Sequence, residues 1–144
     1  MSIIEKIKNG VVAVTGLPFY YDTPQTLNQR LDTATYPCAM LNIVQSGAIM
    51  DANGVLHERM TIEVLFVINS HLDFDGLDVE KYELDKMKEH AFKWLLSLFK
   101  SRDLRLVSVN STNRYYATDD AINSAYGVNV TIEEIVGVSK CDYA

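Results

Sequence analysis

A chain of 144 residues, 48% hydrophobic and 22% charged, has the size and composition of one domain with its own core, needing no metal or disulfide staple. Acidic residues outnumber basic ones 19 to 13, for a formal charge of −6 and a pI near 4.9, which argues against a nucleic-acid groove because phosphate contact needs clustered Lys and Arg. No apolar run is long enough to span a membrane, the first residues lack a signal peptide's apolar core, and Cys38 and Cys141 read as a buried thiol and a tail residue, so a reducing intracellular setting is expected.

Ser2 and Glu5 form a capping-box pattern, predicting an N-terminal helix with Ile4, Ile7, Val11 and Val14 at helical spacing, weakened and ended early by Gly10. Leu17-Pro-Phe-Tyr-Tyr reads as a loop, and Thr23-Pro24 as the start of a short second helix through Leu27 and Leu31. Tyr36-Pro37 restricts the backbone to an extended form and opens a strand over Ala39–Gln45. Asn53-Gly54 predicts a tight turn, both residues tolerating positive φ, between a strand ending near Asp51 and one running from Val55 to Asn69. In the latter, Met60, Ile62, Val64, Phe66 and Ile68 recur at period two and share a face, while Leu65 and Val67 add burial on the other. Its length predicts a bulge near His57-Glu58.

Asp78 is the predicted N-cap of a long helix with Leu84, Met87, Ala91, Trp94, Leu95 and Leu98 in one stripe, about 33 Å long at ~1.5 Å per residue. Ser101-Arg-Asp ends it. A strand follows from Leu104 through Tyr116, then a loop, then an amphipathic strand carrying Tyr126, Val128, Val130 and Ile132. Two hairpins divided by one long helix predict an α+β fold: a mainly antiparallel four-stranded sheet covered by that helix, with an N-terminal helix and a short second helix. The expectation is a single domain over 1–144 with a disordered C-terminal tail from about residue 137. The uncovered sheet face, carrying Thr61, Glu63, Asn129, Thr131 and Glu133, is polar enough to meet water or a partner.

No catalytic constellation is legible. His71, Asp73, Asp75, Gly76 and Asp78 resemble part of a calcium loop, but the alignment puts His71 at the first ligand position and Tyr82 where a bidentate glutamate is needed. A solvated strand-to-helix loop is the simpler reading. His57, His71 and His90 are too scattered for a metal pair, and a buried cysteine such as Cys38 is commonly a core residue. There is no glycine-rich phosphate loop or nucleophile elbow. The expectation is therefore no catalytic residue, no metal ligand and no cofactor. In Tyr20-Tyr21 and Tyr115-Tyr116, one ring of each pair can pack inward and leave the other for a partner.

The capped N-terminal helix, Phe19-Tyr-Tyr-Asp-Thr-Pro before a short helix, Tyr36-Pro37 opening a strand, the long hairpin and Gly127-Val-Asn-Val-Thr-Ile-Glu as a closing strand give a layout that resembles the tail terminator (tail completion) proteins of long-tailed bacteriophages and prophages. The resemblance implies a structural protein, not an enzyme. Such a protein caps the tail tube as a ring, usually of six subunits, and joins it to the head. Its partners would be further copies of itself, the tail tube protein and the head–tail connector. It would act in the bacterial host cytoplasm and then in the virion tail, with no membrane and no sequence-specific nucleic acid among its partners. Ring contacts are head-to-tail, so two different surfaces must match. The hairpin tip, with Ile49, Met50, Val55 and Leu56, is the first candidate interface. The loop from Thr112 to Ser124, with Arg114, Tyr115, Asp119 and Asp120, is the second. The alternatives are a small α+β ligand-binding domain or enzyme subunit, using a cleft between helix and sheet, and another head–tail connector component.

Overall fold

The structure is a computed structural model and describes residues 2–21, 35–69, 83–115, 123–134 and 138–139. Helix α1 spans Ile3–Thr15, β1 Phe19–Tyr21, β2 Cys38–Met50, β3 Val55–Asn69, α2 Asp85–Lys100, β4 Leu104–Tyr115, β5 Asn123–Glu134 and β6 Val138–Ser139. The strands form one mixed sheet in the order β1-β2-β3-β5-β4, with β6 continuing along β3 beyond the end of β5.

This corrects the expected fold. The sheet is neither four-stranded nor antiparallel throughout, and one helix does not cover it alone. Phe19-Tyr-Tyr, expected as loop, is strand β1 and pairs parallel with β2, Phe19 opposite Ala39 and Tyr21 opposite Leu41. Aromatic residues suit such a half-buried edge. α1 and α2 pack against each other on the sheet, α2 lying over β3, β5 and β4 and α1 toward β1. Residues 138–139 of the expected tail form β6, whose short pairing offers no sequence period to read. The predicted short helix from Pro24 to Leu31, the Asp78 N-cap, the His71–Asp78 loop and Cys141 lie outside the described residues.

α1 starts as its sequence predicts: the Glu5 amide donates to Ser2 Oγ at 3.2 Å. It does not stop at Gly10 but runs to Thr15, closing on Gly16 at φ 69°. A glycine inside a helix costs about 1 kcal/mol, and burying Ile3, Ile7 and Val11 returns about 1.5–3 kcal/mol each, so packing wins. α2 is a 16-residue helix, about 24 Å long at ~1.5 Å per residue, with Met87, Ala91, Trp94 and Leu98 buried. These meet Met60, Ile62, Val64 and Phe66 of β3 and Tyr126, Val128, Val130 and Ile132 of β5 in one core. On the opposite face a smaller cluster joins Cys38, Met40, Val67 and Ala125, with Tyr20 packed against it.

β2 and β3 make the long hairpin. The predicted bulge near His57-Glu58 is absent; the register instead slips in β2, between Ile43 and Gln45, leaving Val44 as the extra, exposed residue. The turn is also wider than Asn-Gly alone. Asp51 N donates to Val55 O, Asp51 Oδ1 accepts from the amides of Asn53 and Val55 at 2.8 and 3.0 Å, and only Gly54 takes a positive φ, 77°. Beyond the last β3–β5 pair, Arg59 with Glu133, four residues of β3 continue to the turn. At ~3.3 Å per residue, the hairpin tip forms an arm reaching about 13 Å past that pair, roughly 10 Å past Glu134 and Leu104 where β5 and β4 end.

Candidate functional site

The polar sheet face and the arm share a root. Because β-strand side chains alternate, the register puts Arg59, Thr61 and Glu63 of β3 beside Glu133, Thr131 and Asn129 of β5 on one face. Glu133 is only 4% exposed, and its Oε1 accepts from Arg59 Nε and Nη2 at 3.0 and 2.6 Å while Oε2 lies 3.4 Å from Arg105 Nε. Thr61 and Thr131 share a hydroxyl bond of 3.1 Å. A bulge in β4 between Val109 and Ser111 turns Asn110 onto this face, where its Nδ2 donates to Asn129 Oδ1 at 2.9 Å and Thr131 Oγ1 at 3.0 Å. Tyr115 Oη donates to Glu63 Oε2 at 2.8 Å, and its ring lies over Gly127, where a Cβ would stand 2.8 Å from Tyr115 Cε2. These groups satisfy one another across three strands. The face works as a stiff hydrogen-bonded plate, not as a set of groups converging on a ligand.

The hollow at the root of the arm is lined by Gln45, Gly47, Ala48, Ile49, Arg59 and Thr61 and encloses about 160 Å3. That is roughly half the ~300 Å3 at which small-molecule sites begin. Its one cation, Arg59, already donates to Glu133. Among the described residues no group of three or more His, Cys, Asp or Glu side chains is placed to hold a metal. Cys38 is wholly buried, and burial pushes its thiol up to about 12, so it stays protonated near neutral pH. His90 lies on α2, far along the chain and in a different layer from His57; burial, with Lys93 adding to it, holds its pKa below the ordinary histidine value.

The arm turn carries its own ion pair. His57 Nε2 stands 3.0 Å from Asp51 Oδ2, and the Glu134 carbonyl accepts from the ring as well. Both partners are acceptors, so the doubly protonated imidazolium suits the site. The Asp51 bond raises the His57 pKa above 6.5, and the His57 bond lowers that of Asp51 below 3.8. The raised histidine contributes stability fully below pH 6.5 and loses it as pH rises through its folded value; the depressed aspartate contributes above pH 3.8 and loses it below. A proton-NMR titration should give His57 a midpoint above 6.5, and Asp51→Asn should bring it back toward that value.

The structure divides the expected interface residues. Ile49 pairs with His57 on the plate side of the arm, whereas Met50 pairs with Leu56 on the helix side, so the apolar tip has two faces. Ile49 and Met50 are exposed; Val55 and Leu56 are half-buried, paired with β6. Arg114 is held within the subunit. Its Nη2 donates to Asp85 Oδ1 at 3.2 Å, and its guanidinium stacks 5.4 Å from the Tyr126 ring. Tyr115 faces the plate on the opposite side of β4, and Asp119 and Asp120 lie outside the described residues.

One surface escaped the sequence reading. Leu96 and Phe99 are exposed on α2 away from its buried stripe, beside Phe92, which is 44% exposed and packs edge-on against the Tyr126 ring at 6.1 Å; with exposed Val44 they are apolar residues without an expected role. Their i, i+4, i+7 spacing was the available signal: a helix with apolar residues on two sides has two faces to cover.

No helix among the described residues is long and apolar enough to cross a membrane. Comparison with curated proteins finds no match. Residues 75–137, fewer than half of the chain, match the family described as HEPN/Toprim N-terminal domain 1; this segment holds α2, β4 and β5, and leaves out α1 and the long hairpin.

Proposed function

We propose that the chain is a structural virion assembly protein of tail-terminator type, which caps the tail tube as a ring, six subunits by the family resemblance, and joins it to the head. The observation that carries this reading is the arm. It extends past the body of the sheet, no described strand pairs with the outer side of β2 beyond Leu41, and Val44 beside it and Ile49 and Met50 at its tip are exposed. A second, different apolar surface on α2 supplies the non-identical pair that head-to-tail association requires. The self-satisfied plate gives each subunit a rigid body from which to assemble. On this reading the partners are other copies, the tail tube protein and the connector, and the protein passes from the host cytoplasm into the virion tail.

Introducing Ile49→Asp with Met50→Asp should leave circular dichroism unchanged, because both residues are exposed. It should reduce the mass found by light scattering, alone or with tail tube protein, from a ring to a monomer. An unchanged oligomer would remove the arm from assembly.

The family match favours a second reading, in which residues 75–137 are a module at the N-terminal side of other domains. That reading predicts no ring and no effect of the arm substitutions on mass.

A further inference from the structure

We propose that His57 is a proton-operated clasp: with both ring nitrogens protonated it ties the arm to the body of the sheet, and loss of one proton opens that tie and frees the arm. The clasp works within a single subunit and holds whether or not copies form a ring.

The clasp sits at the fork where β3 parts from β5. Their last pair is Arg59 with Glu133, and His57 lies two residues further toward the tip, on the same face as Arg59. Past the fork β2 travels with β3 as the other half of the hairpin, and β6 pairs only with Val55 and Leu56. Among the described residues, the side chain that spans the fork is His57. Its Nε2 stands 3.0 Å from Asp51 Oδ2 in the turn, and its ring also donates to the Glu134 carbonyl at the end of β5. Both ends are held independently of the histidine. Asp51 Oδ1 accepts from the Asn53 and Val55 amides, and the Glu134 carboxylate accepts from Lys6 of α1 at 2.9 Å. One imidazole therefore joins the turn to the sheet and, through Glu134, to the first helix. It also sets the pose of exposed Ile49, its partner across the hairpin.

The proton count gives the mechanism. A carboxylate and a carbonyl only accept, so serving both takes two N–H groups, and only the imidazolium has them. A neutral ring keeps one. Asp51 retains it, because a charged acceptor holds a donor more strongly than a neutral one. The Glu134 carbonyl is released, and with it the tie to the body. The sign follows from the same bonds. Asp51, with the Glu134 carbonyl adding to it and burial opposing both, keeps the proton on the ring past pH 6.5, so the clasp is closed at lower pH and opens as pH rises through the folded value.

The other charges around the ring do not take this role. Asp51 faces it from the turn, Arg59 from its own strand and Glu133 from β5, with Arg105 of β4 behind Glu133. Glu58 points to the opposite face, the Glu134 carboxylate is paired with Lys6, and β6 brings only Val138 and Ser139. Carboxylates titrate near about pH 4 and Lys and Arg above about pH 10, which leaves His57 as the group that changes charge between about pH 5 and 8.

The test is hydrogen–deuterium exchange of the full chain and of His57→Gln, read by mass spectrometry at about pH 5 and about pH 8 and corrected for the intrinsic pH dependence of exchange. Peptides over the arm, residues 48–58, should exchange about three- to tenfold faster at the higher pH, the effect of one net hydrogen bond, while residues 60–68 of the core keep their rate. In His57→Gln, which carries no titrating proton at a half-buried position, the step should disappear. Arm exchange that is the same at both pH values in the wild type overturns the clasp. A step that survives in His57→Gln also overturns it, since it then belongs to another group. A step of equal size over 60–68 does so too, because the whole fold and not the arm is then opening. Ring formation is read separately by light scattering, so each of these outcomes leaves the ring reading as it stands.

Discussion

Replacing Trp94 with alanine is expected to lower the free energy of unfolding by about 3–5 kcal/mol, as for other large aromatic truncations in a core. Trp94 is 2% exposed and sits where the two helices and the sheet meet. Its ring lies 6.4 Å from that of Phe66 at 52°, and its Nε1 faces Gly10, where α1 crosses α2. A hole there loosens both helices at once, so collapse around it recovers little. For a chain of this size about 3 °C of melting temperature is lost per kcal/mol, giving a fall of roughly 10–15 °C. Calorimetry would show it; a fall of only a few degrees would mean that α1 and α2 do not share one core.

The second large effect is expected at Glu133. Removing one member of a buried ion pair costs about 3–5 kcal/mol where the remaining charge is stranded. Here the side chains of Arg59 and Arg105 are 37% and 63% exposed and keep part of their water, so Glu133→Ala should cost about 2–3 kcal/mol in denaturant unfolding. Arg59→Ala should cost more than Arg105→Ala, because Arg59 makes two short bonds and Arg105 one contact at 3.4 Å. Equal costs for the two arginines would contradict that arrangement. Arg59 is also where β3 leaves the body of the sheet, so amide exchange in the arm should quicken in Glu133→Ala.

The main strands and the helix core stripe were legible because each repeats a period. Met60 to Ile68 alternate and fall on the core side, and Leu84, Met87, Ala91, Trp94 and Leu98 follow a helix. The mixed architecture was not legible. β1 is three residues long, too short for a period, and its parallel partner begins some 17 residues later. Gly10 misled for an energetic reason: a local propensity of about 1 kcal/mol cannot outweigh the burial of one helix face. Bulges escaped too, since Val44 and Asn110 are displaced by pairing across strands and not by any local signal.

The residues expected at an interface show the same division. Ile49 and Met50 were legible as an apolar hairpin tip, but a strand places neighbours on opposite faces, and only the register reveals which one Met50 shares with Glu58. Arg114 next to Tyr115 resembled a binding pair. Its contacts with Asp85 and Tyr126 inside the subunit are set by the fold and had no local signal.

The most direct measurement is native mass spectrometry with electron microscopy of the full chain, alone and with tail tube protein, across a wide concentration range. The expected result is a closed ring of about six times the 16.2 kDa chain. A chain that stays monomeric throughout, or pairs only as a twofold dimer, would contradict it.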